Sequence, residues 1–424
     1  MASFSIPLTG LNADSTALNT IANNLANMNT TGFKAKTVNF ADLFYQEIGA
    51  GGSGDPKQVG AGTQVASTTT DFSNGTPTST GVSTDVALQG NGFFVVAEGS
   101  SQYLTRAGDF ATAANGDLIT ADGLNVMGYP AANGVINTNA PLAPINIPES
   151  AILPPQATSS FSMTANLNSA GTNQVFPSTV AIYDSLGQSH TATITYTQTG
   201  VNTWNYSVAL PGSDFTSGTC TPVTGAMTFD AKGNLSTISV GAGAAQPVGT
   251  GAGQVSSIPV AFNGLADGAN NLSMNWNLMG TGGTPNISQV AAKSAVSGTL
   301  QDGFTSGQYQ GFTIGSDGTV TVTYSNEQKL NVGQIALGTV SNLQGLQATG
   351  DGNYATTLAS GNATIGTSGT AGLGTIQDGA LEGSNVNISA EFANLIIAQR
   401  GFEANSKTIT TFDTITQETI QMIH

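Results

Sequence analysis

Aspartate, serine and histidine come together in one short stretch of the sequence, Asp184-Ser-Leu-Gly-Gln-Ser-His190. These three residue types could form a triad in which a histidine activates a serine nucleophile and an aspartate orients the histidine. The run Asp-Ser-Leu-Gly is also typical of a turn between two strands, because Asp and Gly both favour tight turns. We therefore interpret Asp184–His190 as a turn and not as a catalytic site.

A Gly-x-Gly-x-x-Gly pattern lies within Gly49–Gly54. In a dinucleotide-binding site a strand precedes this pattern and a helix follows it, so that the helix N-terminus meets the pyrophosphate. Here we expect a helical stretch before the pattern, and Asp55-Pro56 follows it, which indicates a linker. His190 and His424 are the two histidines, and the carboxylates are dispersed singly, so we expect no metal site. The sequence predicts no catalytic residues, no cofactor and no enzyme.

Charged residues are few in this chain of 424 residues: nine Lys and Arg stand against 25 Asp and Glu, a net charge of −16. Nucleic acid is a poor partner, because phosphate binding needs clustered Lys and Arg. No apolar run approaches the ~20 residues that span a bilayer, so membrane insertion is not expected. Cys220 is the single cysteine, which excludes an intramolecular disulfide. No Lys or Arg precedes Lys34, so we expect no cleavable secretory signal.

Apolar residues recur seven apart at the N-terminal end, at Leu11, Leu18 and Leu25. They lie within Leu8–Met28 and predict an amphipathic helix there. Gly32 is the expected stop, because glycine readily takes the left-handed conformation that closes a helix.

The C-terminal end repeats this spacing behind an expected N-cap at Ser389. The helix would run about 30 residues, near 45 Å. Two heptad-patterned helices at opposite ends of one chain predict that they meet, within a subunit or between subunits. The alternative is that two ordinary amphipathic helices pack on a core. The candidate interface residues are Leu11, Leu18, Leu25, Leu395, Phe402 and Ile409.

Between the two helices the sequence is typical of β structure, with short alternating stretches such as Thr319–Tyr324 bounded by Asn-Gly and Asp-Gly turns. The prolines of Pro141–Pro155 and the glycines of Gly280–Pro285 indicate joints between domains. The expected fold class is mainly β with α-helical termini and nested, discontinuous domains. The expected bounds are a terminal helical domain at 1–34 and 376–424, a connector at 35–70 and 362–375, an inner β domain at 71–148 and 296–361, and an inserted outer β domain at 149–295.

The stretch that follows the first helix has the pattern Ala-Asn-x-x-Thr-x-Gly-Phe-Lys and resembles the signature of bacterial flagellar rod and hook proteins. Gln89–Val96 and Tyr103–Phe110 are similar to the inner β domain of that family. Ala380–Val386 and Ala398–Asn405 resemble the lead into its C-terminal helix and the helix itself. The residues of the first motif are Ala26, Asn27, Thr30, Gly32, Phe33 and Lys34.

Within the family, the middle of the chain distinguishes two kinds of member. Val180–His190 and Trp204 resemble the outer domain of the hook members, and Asp302–Gly307 resembles the returning half of their inner domain. The distal rod members lack an outer insertion, so residues 149–295 favour the hook. A distal rod protein of the basal body and a secreted β-rich binding module are the alternatives.

The resemblance implies a structural subunit that polymerises into a curved, flexible tube and transmits torque from rod to filament as a universal joint. The implied partners are further copies of the chain, the distal rod and hook–filament junction proteins, the hook cap and the flagellar export apparatus. The implied location is the extracellular hook and basal body, reached without a cleaved signal peptide. Phe40 and Phe44 resemble the Phe-x-x-x-Phe export signal of rod and hook substrates. An aromatic pair on one helix face is the alternative interpretation.

Overall fold

The computed structural model of the chain describes residues 4–44, 46–47, 58–280 and 282–422. The described chain is mainly β with one long helix at each end, which confirms the expected fold class. Its Cα positions divide into two compact units. The first comprises Met1–Glu149, Gly311–Thr323 and Lys329–His424, and the second comprises Ser150–Gln310 and Tyr324–Gln328. The Gly49–Gly54 pattern and His424 lie outside the described residues.

Helix α1 spans Ser5–Ala26 and therefore ends earlier than expected. Its last turn is closed at Asn27, whose backbone N–H donates to the carbonyls of Asn23 and Asn24. The prediction that Gly32 stops this helix is wrong, since Gly32 lies beyond the cap. Gly32 does have φ +66°, and its N–H donates to the Glu382 carbonyl at 2.8 Å.

Helix α2 spans Ile388–Met422, 35 residues. The predicted N-cap at Ser389 is wrong, because Ser389 already lies inside the helix. Asn387 takes this role: its side-chain oxygen accepts a hydrogen bond from the Ala390 N–H at 3.1 Å, which satisfies one of the free donors of the first turn. Neither described helix is long and apolar enough to cross a membrane.

The first unit is organised around a large sheet whose centre is the adjacent strands Phe93–Glu98 and Asn125–Ala132. Phe93, Leu104 and Tyr354 are part of its core, and Phe72 packs against them. The strands along this sheet are Tyr309–Ile314, Thr319–Tyr324, Lys329–Thr339, Asn125–Ala132, Phe93–Glu98, Ser101–Thr105, Asn353–Ala355 and Gln347–Gly350, with Ala111–Thr112, Leu118–Ile119, Val135–Ile136, Ala143–Pro144 and Thr364–Thr367 attached beside them.

The described part of the first unit also contains four two-stranded antiparallel sheets. Two of them pair a strand from the N-terminal part of the chain with a strand from the C-terminal part, although these strands are far apart in the sequence. The paired strands are Lys36–Asp42 with Thr63–Thr70, Gln46–Glu47 with Gln58–Val59, Val86–Gln89 with Thr375–Asp378, and Pro77–Ser79 with Ala380–Glu382. The residues before the glycine pattern are thus extended, and the expected helical stretch there is wrong.

The second unit contains two sheets that share one core. Trp276 stacks on Phe161 and meets Tyr206 edge to face, and the Trp204 indole N–H donates to Gln289 at 2.8 Å. The strands of the first sheet are Ser257–Phe262, Leu272–Asn277, Ser160–Asn168, Ile287–Val290 and Ala295–Gln301; those of the second are Val175–Tyr183, Ser189–Gly200, Thr203–Ala209, Val223–Phe229, Leu235–Ile238 and Gln246–Pro247.

The second unit extends further along the chain than the expected outer domain, which ended at residue 295. Strand Ala295–Gln301 pairs with Ser160–Asn168, so its backbone hydrogen bonds hold it in this unit. The segment Leu153–Gln156 pairs with Phe304–Gly307 through reciprocal backbone hydrogen bonds. The two ends of the unit therefore lie side by side.

Candidate functional site: the paired terminal helices and their anchor

Three charged side chains are buried together at the base of the helix pair. The Lys34 ammonium lies 2.6 Å from Glu382 Oε1, and the Arg106 guanidinium lies 3.1 Å from Glu382 Oε2. Backbone groups complete the set: Ser73 O accepts from Lys34 at 2.7 Å, and Gly75 N donates to Glu382 at 2.9 Å. We call Lys34, Arg106 and Glu382 the anchor, because they join three separate parts of the first unit.

The two buried cations of the anchor depend on the Glu382 carboxylate to compensate their charge. Burial lowers the pKa of Lys34 below its ordinary value, and the hydrogen bond and charge of Glu382 offset part of that shift. Arg106 also donates to Asn74 Oδ1 and to the carbonyl of Gly90, so its charge is spread over several acceptors. A buried cation without its anion is costly, so the loss of Glu382 would destabilise the fold.

The motif after α1 brings Lys34 to this point. Asn27 holds the end of the helix through its side chain, which accepts from the Thr30 hydroxyl at 3.1 Å. Gly32 approaches the chain at Arg106 so closely that a Cβ would lie 2.6 Å from the Arg106 carbonyl carbon. Glycine is therefore required there by space as well as by its φ angle. Ala26 is exposed and Phe33 is half-buried.

Asn385 fastens the C-terminal segment to the same place. Its side-chain oxygen accepts from the Ala35 N–H at 2.8 Å, and its amide donates to the Asp71 carbonyl at 2.8 Å. The Asn385 N–H in turn donates to the Phe33 carbonyl. The chain entering α2 is thus hydrogen-bonded to the chain leaving α1.

The two helices lie antiparallel within the chain. Asn24 of α1 meets Glu391 at the start of α2 at 3.1 Å, whereas Asp14 meets Asn405 further along at 2.9 Å. Asn24 is buried, and its side chain also bonds the Lys36 N–H and carbonyl. These contacts confirm that the helices meet within one chain.

Small residues allow the close approach of the helices. A Cβ on Gly10 would lie 2.6 Å from the Asn405 amide nitrogen, and one on Gly401 would lie 3.0 Å from an Asp14 carboxylate oxygen. Ala398 is a buried residue of α2. These small and polar residues, which we call the seam, lie at contacts between the two helices.

The six candidate interface residues are all half-buried in the single chain. Except for Ile388, which lies seven residues before Leu395, the most exposed apolar side chains of α2 are residues that the heptad pattern does not single out. Phe392 and Ile396 are spaced four apart on one face, and that spacing is the signal that could have identified them. The exposed apolar residues of this helix are Ile388, Phe392, Ile396, Ile397, Ile415, Ile420 and Met422.

A groove of about 350 Å³ opens between α1, α2 and the strand Lys36–Asp42. Ile21 and Ile397 line it with apolar surface, and Asp14 and Glu391 add carboxylates. Phe40 lies on the same groove. The side chains here offer surface for packing and hydrogen bonding, which fits a contact surface between chains.

Phe40 and Phe44 do not form a pair on a helix. Phe40 lies in the strand Lys36–Asp42, and Phe44 follows that strand with 95% of its side chain exposed. The alternative interpretation of these residues as a helical aromatic pair is therefore wrong, because the local backbone is extended.

Comparisons with known families match the chain in four segments. The model described as "Flagella basal body rod protein" matches residues 6–34, and "Flagellar basal body rod FlgEFG protein C-terminal" matches 377–422. Between them, "Flagellar hook protein FlgE/F/G D1 domain" matches 87–166 and "Flagellar basal body protein FlaE D2 domain" matches 146–304. Each anchor residue comes from a different matched segment.

Several curated proteins are similar over almost their whole length. "Flagellar hook protein FlgE" of Escherichia coli (strain K12) is 36% identical, covering 97% of this chain and 98% of that protein. The protein of the same name from Borreliella burgdorferi is 33% identical, covering 98% of each. The crystal structure of Helicobacter pylori flagellar hook protein FlgE2 aligns with a TM-score of 0.55 at 16% identity, over 72% of this chain and 100% of that one. This last likeness concerns the fold.

Proposed function

The chain belongs to the flagellar hook protein family, and on that premise we propose that its paired terminal helices are the surface through which copies of the chain hold together as a tube. The relatives that match over 97% and 98% of the chain are hook proteins, and the match includes the second unit. The chain is therefore a structural subunit of the bacterial flagellar hook, not a distal rod protein or a secreted binding module.

The observation that carries the proposal is the uncovered apolar surface of α2. Phe392, Ile396 and Ile397 are each more than half exposed, and Ile415 and Ile420 continue the exposed series further along the helix. Large exposed apolar patches on soluble proteins mark interaction sites, because burying them against a partner releases water. A neighbouring subunit is the partner that a polymer offers.

The helix pair then has two kinds of contact. Within a chain, the polar and small seam of Asp14, Asn405 and Gly401 sets how the helices lie. Between chains, the exposed residues of α2 and the half-buried leucine positions would bury their remaining surface. Leu11, Leu18, Leu25, Leu395, Phe402 and Ile409 keep their role as candidate interface residues on this basis.

The proposed mechanics follow from the surface chemistry. Charged residues make up 8% of the chain, so few strong, directional ion pairs are available to hold neighbouring outer units in one register. Shallow polar contacts between such surfaces can shear while the helices stay attached. A tube built this way bends while it transmits torque from rod to filament.

The remaining partners follow from the family. We propose that the chain meets distal rod and hook–filament junction proteins at the two ends of the hook, is assembled under the hook cap, and reaches the extracellular hook through the flagellar export apparatus. The exposed Phe40 and Phe44 are available for recognition by that apparatus before assembly. The role is structural, without catalysis or a cofactor.

The test compares nucleated assembly of the purified full chain with that of two variants. Leu395→Asp places a charge at a half-buried leucine position, and Phe392→Ser with Ile396→Ser removes exposed apolar surface. Both changes make the contact between chains unfavourable or weak, so electron microscopy should show tubes for the unaltered chain and none for either variant.

Gln399→Ser is the matched control, since Gln399 is an exposed polar residue on the same helix. It should assemble normally. Circular dichroism of each variant monomer should show an intact β fold. Normal tubes from both altered chains would overturn the proposal.

A further inference from the structure

One histidine of the second unit is enclosed by three aspartates. His190 lies in the strand Ser189–Gly200 and is buried. Its Nδ1 lies 2.9 Å from Asp214 Oδ2, and its Nε2 lies 3.0 Å from Asp184 Oδ2 and 3.6 Å from Asp267 Oδ2. Asp184 is fully buried, whereas 27% of the Asp267 side chain is exposed, which leaves a route to solvent.

Asp184 and Asp267 are each held by their own loop through Oδ1, and the Oδ2 atom of each lies near the imidazole. Asp184 Oδ1 accepts from the N–H groups of Leu186 and Gln188 at 2.8 and 2.9 Å. Asp267 Oδ1 accepts from Ala269 N at 3.0 Å. The Oδ2 atoms of Asp184 and Asp267 are therefore oriented before any ligand arrives.

The arrangement requires a positive charge at Nε2. With the Nδ1 proton donated to Asp214, the neutral imidazole presents a lone pair at Nε2 to two carboxylate oxygens. Like partial charges at these distances repel, so the site needs either a second proton or a cation between the three atoms. A proton on Nε2 can be donated to Asp184 Oδ2, but the 3.6 Å between Nε2 and Asp267 Oδ2 is too long for a hydrogen bond.

A metal ion satisfies all three atoms at once. Zinc–nitrogen and zinc–carboxylate distances of about 2.0–2.2 Å place neighbouring tetrahedral ligands about 3.3–3.5 Å apart. The two distances from Nε2, 3.0 and 3.6 Å, lie on either side of that range. A carboxylate on the other ring nitrogen, as Asp214 supplies, is the usual support of a metal-binding histidine.

We propose that His190 Nε2, Asp184 Oδ2 and Asp267 Oδ2 bind a divalent first-row transition metal such as Zn²⁺, with Asp214 positioning the imidazole. Water completes the coordination on the exposed side of Asp267. The ion joins the turn that follows strand Val175–Tyr183 to the loop of Asp267, two segments that also share the hydrogen bond from Asn270 N to Ser185 Oγ at 2.9 Å. Its role is to stiffen one end of the second unit.

This proposal departs from the expectation of no metal site. That expectation rested on the presence of two histidines and on the dispersal of the carboxylates along the sequence. Folding brings Asp267 next to Asp184 and His190, although it lies far away along the chain.

The test is calorimetric titration of the untagged full chain, carrying His424→Ala to remove the other histidine, with Zn²⁺, and separately with Ca²⁺. One Zn²⁺ should bind per chain, and Ca²⁺ should bind at least tenfold more weakly, because imidazole favours transition metals. Asp267→Asn should abolish the site. Asp214→Asn should weaken Zn²⁺ binding by about 10–100-fold while keeping the stoichiometry.

Asp230→Asn is the matched control, because Asp230 makes the same kind of turn contacts, to Lys232 N and Asn234 N. It should leave Zn²⁺ binding unchanged. Visible absorption of bound Co²⁺ gives a second readout that reports the ligands directly, and it should be lost in Asp267→Asn. The proposal is overturned if Zn²⁺ does not bind, if Asp267→Asn binds it as tightly as the unaltered chain, or if Ca²⁺ is preferred.

Discussion

Lys34, Arg106 and Glu382 are buried charges in a chain that has few charges of any kind. A buried ion pair adds little to stability compared with apolar packing, but removing one partner leaves a charge without compensation. The anchor therefore acts through specificity: the Lys34–Glu382 pair forms when the segment after α1 and the segment before α2 are in register. That register fixes the end of α1 and the beginning of α2 next to each other on the β structure.

Glu382→Gln tests this role. It leaves Lys34 and Arg106 buried with no anionic partner, so the free energy of unfolding of the first unit should fall by about 3–5 kcal/mol. Urea unfolding followed by circular dichroism measures the change. Glu403→Gln is the comparison, because it breaks an exposed ion pair in which the Arg400 side chain is 78% exposed and the Glu403 side chain 67%. It should change the free energy of unfolding by less than about 0.5 kcal/mol. Equal effects of the two substitutions would contradict the role of the anchor.

A second prediction at this scale concerns acid stability of the second unit. Burial by itself would raise the pKa of Asp302, but hydrogen bonds from the hydroxyl and N–H groups of Ser159 and Ser160 outweigh burial and hold the pKa below its ordinary value of 3.8. The folded state therefore favours the carboxylate. The stability that Asp302 contributes is present above pH 3.8 and is lost as pH falls through the lower, folded-state pKa.

Asp302→Asn should accordingly destabilise the second unit at pH 7, and the difference from the unaltered chain should shrink as pH falls below about 4. Urea unfolding of both chains at pH 7, 5 and 3 measures it. A difference that stays constant over this range would contradict the predicted linkage.

At the scale of elements, α2 is long but poorly covered. Ala398 is buried, whereas most of its other described residues are exposed or half-buried. Helical stability in proteins comes largely from packing of an apolar face, so α2 depends on its contacts with α1 and, in a polymer, with neighbouring chains. Phe4, the residue before α1, meets Phe412 edge to face, which is an aromatic contact near the far end of the pair.

Limited proteolysis of the monomer should therefore cut within the second half of α2, at Lys407 for trypsin, before it cuts the β units. The same site should be protected in assembled tubes, because neighbouring helices cover it. Mass spectrometry of the fragments identifies the first cut. Full resistance of α2 in a sample shown to be monomeric would contradict the prediction.

At the scale of the whole molecule, the proposed function gives the helices and the second unit separable tasks. The second unit has its own core around Trp204 and Trp276, and its ends are held together where Leu153 pairs with Gly307. Domains inserted in this way can be removed without breaking the host, because the host chain already passes between neighbouring points.

Replacing residues 154–306 with a short Gly/Ser linker should leave the first unit folded and able to polymerise. The tubes should be straighter or mechanically weaker, since the contacts between second units, which we propose select curvature, are missing. Electron microscopy of hooks from cells that express only the shortened chain measures this. Unchanged curvature would contradict the division of tasks, and an unfolded first unit would contradict the boundaries.

Local patterns in the sequence determined the secondary structure and the family motif, because both depend on residues that are close together in the chain. The seven-residue spacing of Leu11, Leu18 and Leu25 predicts α1 because a helix places such positions on one face wherever it lies in the fold. The alternating stretches predict strands for the same reason. The family motif ending in Lys34 was likewise readable without a structure.

The tertiary structure decided which distant groups meet. Lys34 and Glu382 are 348 positions apart, and no periodicity links them. The seam of α1 and α2 includes small and polar residues because close approach needs them, and the heptad spacing alone does not identify them. Phe40 is in a strand because Thr63–Thr70 pairs with it. Asp267 reaches His190 because its loop packs near the strand Ser189–Gly200. Such contacts depend on the energy of the whole packed chain, which local spacing does not contain.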